Sequence, residues 1–454
     1  MSTHATYKDR HWERQPRAEA TYRAILDAAL ARCPQAQAYA DRLLTEAGVR
    51  LRDIVDHVDV ADAAVIERIE AAGWRPMGEG AWKNPDGLFP VFVRRDADAV
   101  WLRVESAADF VRANGLSVAI EGTAHAPMRR AVAFEAAGVR VGVVERNGHP
   151  GFDVPDASDA DVRRARLHHN AFRARRRQFD TVEAGLAHTE ALVDAAVADI
   201  GPHRACDLWL KAEREYWMSR CPAGRLQKAR QDAVGIGWSN IDHHTYDGSR
   251  AHFRHTIRIL EKLGYRLREM LYAGELAGWG SQVLEQPVIG STIFADVDLA
   301  PHELQVDFAH DLLPELPKHR RAGLLSALLG ESILEAGLNH VAALYDQKLL
   351  RGQLEARGLK MMSPFTDWPH LYQELTTGDW AAVDPARVDA LEAGGHIGAE
   401  EAEKLRMEGS IVTHLENIER NDGYKGFNRD GIDSVLRKLD PRAYHGGRAA
   451  EAAA

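Results

Sequence analysis

The sequence predicts an α+β protein of repeated βαβββ modules that form a cupped mixed sheet, with a helical segment inserted between them. Two observations carry that prediction. A strand–helix–strand–strand–strand order recurs along the 454 residues. Each recurrence also opens on a histidine-bearing strand and follows it with a helix that stops at a glycine.

From the N-terminus, residues 17–48 are Ala/Leu-rich with helical spacing and a break near Pro34. Leu51–Val60 reads as extended, Ala61–Ala72 as an amphipathic helix stopped by Gly73, and "GLFPVFVRR" and "AVWLRVESAADF" as further strands. "AVAF" and "GVRVGVVERNG" add two short strands, after which Asp159–Val234 is almost wholly helical. The order then restarts at "SNIDHHTYDGSR". Ser249 is the predicted N-cap, Phe253, Ile257, Leu260 and Leu263 recur at helical spacing, and Gly264 stops the helix. "YRLREMLYAG", "GSQVLEQP" and "STIFADVDL" supply its remaining strands, and "HRRAGLLSALLGESILEAG" is helical. A third run pairs the strand "LNHVAALYD" with a helix capped by Asp346 and stopped by Gly358. Its later strands are "LKMMSPF", "HLYQELT" and, after a helical insert, "SIVTHLENIER". The expected organisation is N-terminal helices over 1–48, a degenerate module over 49–155 and a helical segment over 156–236. Paired modules over 237–440 carry the site, and a disordered tail covers 441–454.

Composition narrows the function classes. The net charge of −10 argues against nucleic-acid binding, which needs a basic face. The basic stretch Arg163–Phe179 reads as a solvated helix face in preference to an anion-binding strip. Cys33, Cys206 and Cys221 form no CxxC pair, which fits a reducing cytosol and excludes a disulfide framework. No apolar run approaches a membrane span and no hydrophobic signal core opens the chain, so a cytoplasmic protein is expected. Neither a P-loop, a strand-following GxGxxG nor a GxSxG elbow is present.

The histidines carry the functional expectation. His243 and His340 hold equivalent places ahead of Gly264 and Gly358, and His57 sits more loosely in the same relation to Gly73. Modules closing around a shared cup would bring His243 and His340 face to face, with a carboxylate from a last strand: Glu416 or Glu419, or Glu285 of the middle module. Two imidazoles and one carboxylate form the facial triad of non-haem Fe(II) oxygenases, which leaves coordination positions open for substrate and dioxygen. Neighbouring strand residues face opposite ways, so His244 replaces His243 if the other face is the functional one. For a cationic grip on a substrate carboxylate the candidates are Arg250, Arg225 and Arg230. "GYKGFNRDG", residues 423–431, reads as a glycine-hinged lid or a plain loop.

Repeated βαβββ modules with ligands on strands resemble the vicinal oxygen chelate superfamily. More narrowly, Asn240–Arg420 resembles the 2-oxoadipate dioxygenase/decarboxylase (hydroxyglutarate synthase) family, through "ILEKLGYRLREMLYAGELAGWG", "DHHTY", "NHVAA" and "HLENIERN". The resemblance covers less than half the chain. It implies Fe(II), with Mn, Ni or Zn as alternatives, held by His243, His340 and Glu416. It also lays Arg420 over the family's arginine. "HVAAL" lacks the family's Thr-Pro, and the arginine expected soon after the first histidine is missing, Arg250 being the nearest. The implied activity is a dioxygenase acting on a small chelating substrate such as a 2-oxo acid, with Arg250 and His244 as further catalytic candidates. The rival readings are a metal-dependent lyase or isomerase on the same scaffold, and a non-catalytic small-molecule binding protein.

Overall fold

In the computed structural model, residues 11–430 and 432–443 are described. The tail expected over 441–454 falls, from residue 444 onward, outside the described residues. Two N-terminal helices, Pro16–Arg32 and Pro34–Ala47, precede a seven-stranded sheet. Its strands are β1 (Val55–Val60), β2 (Arg75–Gly78), β3 (Ala81–Lys83), β4 (Val91–Arg94), β5 (Asp98–Val104), β6 (Met128–Ala136) and β7 (Val139–Arg146). They lie in the order β2-β3-β4-β1-β5-β7-β6. A nine-stranded sheet follows, with β8 (Ile241–Asp247), β9 (Arg266–Tyr272), β10 (Trp279–Gln286), β11 (Ser291–Asp298) and β12 (His340–Leu344). It is completed by β13 (Thr366–Trp368), β14 (Leu371–Leu375), β15 (Asp379–Ala381) and β16 (Ser410–Arg420). The main path there runs β13-β14-β16-β12-β8-β11-β10-β9, and β15 pairs with β16.

Both sheets obey one rule. The first and last strands of each module pair in parallel: β1 with β4, β5 with β7, β8 with β11 and β12 with β16. The two first strands of each sheet pair antiparallel, β1 with β5 and β8 with β12. The fold class is therefore the expected one, α+β with curled mixed sheets of paired modules. The glycine stops have a common cause. Gly73, Gly264 and Gly358 all end their helices at positive φ (119°, 86° and 82°), the region L-residues avoid.

Several expectations need correction. The N-terminal sheet holds two modules where the sequence suggested one. "AVWLRVESAADF" is not one strand but β5 followed by the helix Ala107–Ala113, capped by Ser106, and that strand–helix pair opens a second module. Residues 51–54 form a 3-10 turn ahead of β1. Ser249 is not the cap of the helix Phe253–Lys262. A turn intervenes, His252 takes the cap position, and Ser249 Oγ lies 3.1 Å from His252 Nδ1. "LKMMSPF" contributes an isolated bridge, Met361 with Thr376, and the strand begins later at Thr366.

Helices Pro202–Met218 and Pro222–Ala233 lie on the convex face of the second sheet, and helices Asp159–Arg173 and Val182–Ile200 pack against Pro202–Met218. Trp209 Nε1 donates to Tyr246 Oη at 3.4 Å, and Trp217 Nε1 donates to Thr413 Oγ1. The basic stretch divides here. Arg163 and Arg166 are exposed, as a solvated face requires, but Arg175 is fully buried and donates to Glu213 at 2.9 Å and to the Ile333 carbonyl at 2.5 Å. All three cysteines are free and buried. Among the described residues no helix is long and apolar enough to cross a membrane.

Candidate metal centre

Strand alternation decides which side chains meet. On β8, His244 and Tyr246 turn to the convex face beneath the helices, where Arg214 Nη1 lies 3.3 Å from His244 Nε2. His243 and Thr245 therefore turn to the concave face. Ala342 on β12 is the register partner of both His243 on β8 and Glu416 on β16, and His340 sits two residues before it on the same face. The three side chains thus converge over Ala342, whose methyl group leaves the space open.

One ligand atom from each of His243, His340 and Glu416 lies within 4.8 Å of the other two. Glu416 Oε2 is 3.2 Å from His243 Nε2 and 3.2 Å from His340 Nε2. Around them a second set of contacts fixes orientation. Gln373 Nε2 donates to Glu416 Oε1 at 2.9 Å, and Thr366 Oγ1 donates to Gln373 Oε1 at 3.1 Å. His243 Nδ1 lies 2.8 Å from Asp242 Oδ2, and Thr245 Oγ1 lies 2.8 Å from His340 Nε2. Arg420 grips Asp242 through Nε at 2.6 Å and Nη2 at 3.1 Å, and also donates to the carbonyls of Tyr424 and Gly426.

Electrostatics follow from that packing. Burial alone would push Glu416 up, but His243 and His340 draw it down to about 2. Burial would push His243 down, yet the Glu416 charge and the Asp242 hydrogen bond hold it at about 9. Asp242 is held well below the usual carboxylate range, since Arg420 and His243 outweigh its burial.

The donor set fits a divalent transition metal. Two imidazoles and one carboxylate are the donors of the facial triad, which would leave the remaining coordination positions to substrate and dioxygen. Asp242 accepts from His243 Nδ1–H, the carboxylate–histidine support typical of metal ligands, and a metal would displace the Nε2 proton that the protonated, metal-free ring directs at Glu416.

The other candidates lie elsewhere, for reasons of charge pairing. Arg250 is buried but consumed by Glu303, through Nη1 at 2.8 Å and Nη2 at 2.5 Å, and by the Pro314 and Asp298 carbonyls. Arg225 is exposed and donates to the Met218 and Ser219 carbonyls. Arg230 donates to Gln227 at 2.7 Å and to Gln353, and burial lowers it to about 10. Glu419 pairs with Arg50 at 2.8 Å, and Glu285 pairs with Lys425 at 3.2 Å. None of these lines the cup; Arg420 stands behind it, paired with Asp242 and with its guanidinium carbon 4.6 Å from the centre of the Phe427 ring, which does line it. Asp242, Thr245 and Gln373 were passed over in the sequence. The Asp-His dipeptide, repeated at Asp56-His57, was the available signal for the first. Gln373 shows its role only once β14 pairs with β16.

Paired βαβββ modules with the donor set on facing strands define a candidate metal centre. The sequence matches no protein-family model and no curated protein. Among solved structures it is similar to the hydroxyglutarate synthase of Oryza sativa in complex with 2-oxoadipate, at 15% identity and a TM-score of 0.33, over 51% of this chain and 90% of that one. It is also similar to a variant 4-hydroxymandelate synthase from Streptomyces coelicolor, at 14% identity and a TM-score of 0.29, over 74% and 95%. Methylmalonyl-CoA epimerase from Mycobacterium tuberculosis matches at 13% identity and a TM-score of 0.21, over 40% and 89%. At these values the likenesses carry no weight for activity, which rests on the residues alone.

Proposed function

We propose that the chain is a mononuclear non-haem Fe(II)-dependent dioxygenase acting on a small chelating substrate, a 2-oxo acid that is decarboxylated oxidatively. The supporting observation is the convergence of His243, His340 and Glu416 within 4.8 Å on the floor of an otherwise largely apolar cup. Fe(II) held by those three would supply the dioxygen chemistry, with open positions for a bidentate 2-oxo acid. The atom balance needs no further co-substrate. The carboxyl carbon leaves as CO2, the carbonyl carbon becomes a carboxylate with one atom of O2, and the other oxygen atom enters the rest of the substrate.

The chain's own residues do the positioning. Asp242, fixed by Arg420, holds a proton of His243 on Nδ1, so that Nε2 would be the nitrogen offered to the metal. Gln373 occupies Glu416 Oε1 and so directs Oε2 toward the imidazoles. Phe294 and Phe427, with ring centroids 4.6 Å and 5.7 Å from that of His243, exclude water from its flank.

The test is metal content by mass spectrometry after anaerobic Fe(II) reconstitution, followed by oxygen uptake with a panel of 2-oxo acids. About one iron per chain and substrate-dependent oxygen uptake are expected. Stoichiometric metal with turnover but no oxygen uptake would move the assignment to a lyase or isomerase. A chain that retains no transition metal would be a binding protein.

A further inference from the structure

Resting on that reading, the walls of the cup constrain what the chelating substrate can carry at its far end. Leu271, Trp279, Phe294, Phe365, Leu375 and Leu436 line it, contributed by β9, β10, β11, β14, the loop before β13 and the C-terminal helical turn. Most of the lining polar groups are already engaged, the Trp279 Nε1 and Arg321 Nε donors being the exceptions. Thr245 meets His340 at 2.8 Å, and Ser281 Oγ donates to Asp296 Oδ1. Gln373 is held between Glu416 and Thr366, and Asn428 Nδ2 donates to the Phe365 carbonyl at 3.3 Å.

Among the described residues, Arg321 is the one basic residue of the lining apart from the two histidines of the triad. Its charge is spent. Arg321 Nη2 donates to Asp247 Oδ1 at 2.8 Å and to Asp296 Oδ2 at 2.5 Å, and its guanidinium carbon stands 4.1 Å from the centre of the Trp279 ring. Burial raises both Asp247 and Asp296, and the Asp296 charge raises Asp247 further, yet one ionised carboxylate of the pair is enough to neutralise this cation before a third arrives. A carboxylate brought into this space would lose its hydration without gaining a cationic partner, the expensive case for buried charge. An apolar tail gains contact with every wall.

We infer that the site takes a chelator whose tail is neutral and apolar, aromatic or branched aliphatic, and discriminates against one whose tail ends in a second carboxylate. The chelating head is then the only anionic part of the substrate, and selectivity arises from the missing cation as much as from the aromatic walls.

Pyruvate, phenylpyruvate and 2-oxoadipate share one chelating head and differ only in the tail, so they separate the two parts of the argument. The full chain, loaded with Fe(II) under anaerobic conditions, is titrated with each and followed by calorimetry and by quenching of tryptophan fluorescence. Phenylpyruvate is expected to bind at least about tenfold more tightly than 2-oxoadipate. The Leu436→Arg variant, which adds a cation to the wall, is expected to shrink that ratio by raising affinity for 2-oxoadipate. Binding of 2-oxoadipate by the unaltered chain as tightly as phenylpyruvate would overturn the inference while leaving the 2-oxo acid reading intact. If none of the three binds, the 2-oxo acid reading fails, and 4-methylcatechol against 3,4-dihydroxybenzoate puts the same question with a different head. Preference for the methylcatechol then supports the tail rule, and equal or reversed affinity overturns it.

Discussion

The two sheets are copies of one plan, and the comparison between them separates what holds the plan together from what adds chemistry. In the C-terminal sheet Asp242 lies beside His243 at 2.8 Å and is gripped by Arg420 at the end of β16. In the N-terminal sheet Asp56 lies beside His57 at 2.7 Å and is gripped by Arg146 at the end of β7, through Nε and Nη2, each at 2.7 Å. The Asp-His…Arg unit is therefore common to both sheets. Carrying the register across, Ala99 stands where His340 does, and Gly142 where Glu416 does, since Gly142 precedes Arg146 as Glu416 precedes Arg420. The space that His340, Glu416 and an ion would share is filled by Trp101, which stacks on His57 with centroids 5.9 Å apart and donates to Asp59 at 2.7 Å. A histidine locked by an aspartate–arginine pair is thus a structural property of this fold, and the second imidazole and the carboxylate are what make a metal centre.

The largest expected effect tests that division directly. His340→Ala or Glu416→Ala should abolish stoichiometric iron binding, whereas His57→Ala should leave it unchanged, as read by metal analysis of the desalted protein. Iron loss in the His57 variant would mean that the sheets share a site after all. A smaller effect is expected one layer out. Asp242→Asn keeps the shape but loses the charge behind His243, and should weaken metal affinity by about 10–100-fold. Asp56→Asn should not change it, and competition against a chromophoric chelator measures both.

Much of this division was legible in the sequence, and the rest failed for identifiable reasons. His243 and His340 could be singled out because each stands at a fixed place relative to a helix-stop glycine, and such places survive folding as register; the terminal strand left Glu416 and Glu419 as alternatives, and the family resemblance chose Glu416. The arginines could not be sorted that way. Arg250 was expected at the substrate, but Glu303 arrives from a distant 3-10 turn to neutralise it, and no local pattern announces that pairing. Arg321, the cation that does line the cup, sits in an apolar helix, "RAGLLSALL", that reads as packing. The second N-terminal module was hidden because its helix is only seven residues long and the segment after it lacks alternation. Without that module, the replacement of the triad by Ala99 and Gly142 could not be seen.

The Trp101 plug offers the next test, at the scale of stability. A Cβ at Gly142 would lie 2.4 Å from Trp101 Cζ3 and 2.7 Å from the Ala131 carbonyl, so Gly142→Ala overpacks the place where Glu416 stands in the other sheet. A cost of about 1–3 kcal/mol is expected, measured as a lowered midpoint of chemical unfolding. Trp101→Phe/Gly142→Ala should recover part of it by removing the crowding ring. If Gly142→Ala alone were neutral, the indole would not be what excludes a side chain at that position.

The smallest effect concerns the helices that follow the first strands. The helix Ala63–Ala72 is capped by Asp62, whose Oδ1 accepts from the Ala64 amide at 2.9 Å. Its counterpart Phe253–Lys262 has His252 at the cap, with Nε2 2.9 Å from Glu183 and Nδ1 3.4 Å from Glu331. The ring of His255 lies 6.3 Å away. The Glu331 contact, opposed by burial and assisted by Glu183, raises His252 to about 9. A raised pKa means that the folded chain binds the proton more tightly than the unfolded chain. The stabilisation is therefore complete below the ordinary histidine range, near pH 6.5, and is lost as pH climbs through about 9. Melting temperature should fall across that window in the unaltered protein, and the fall should be shallower in His252→Gln, while Asp62→Asn should leave it in place. Equal slopes in all three would show that the histidine at the second cap contributes no pH-dependent stability and that the two helix starts differ in sequence only.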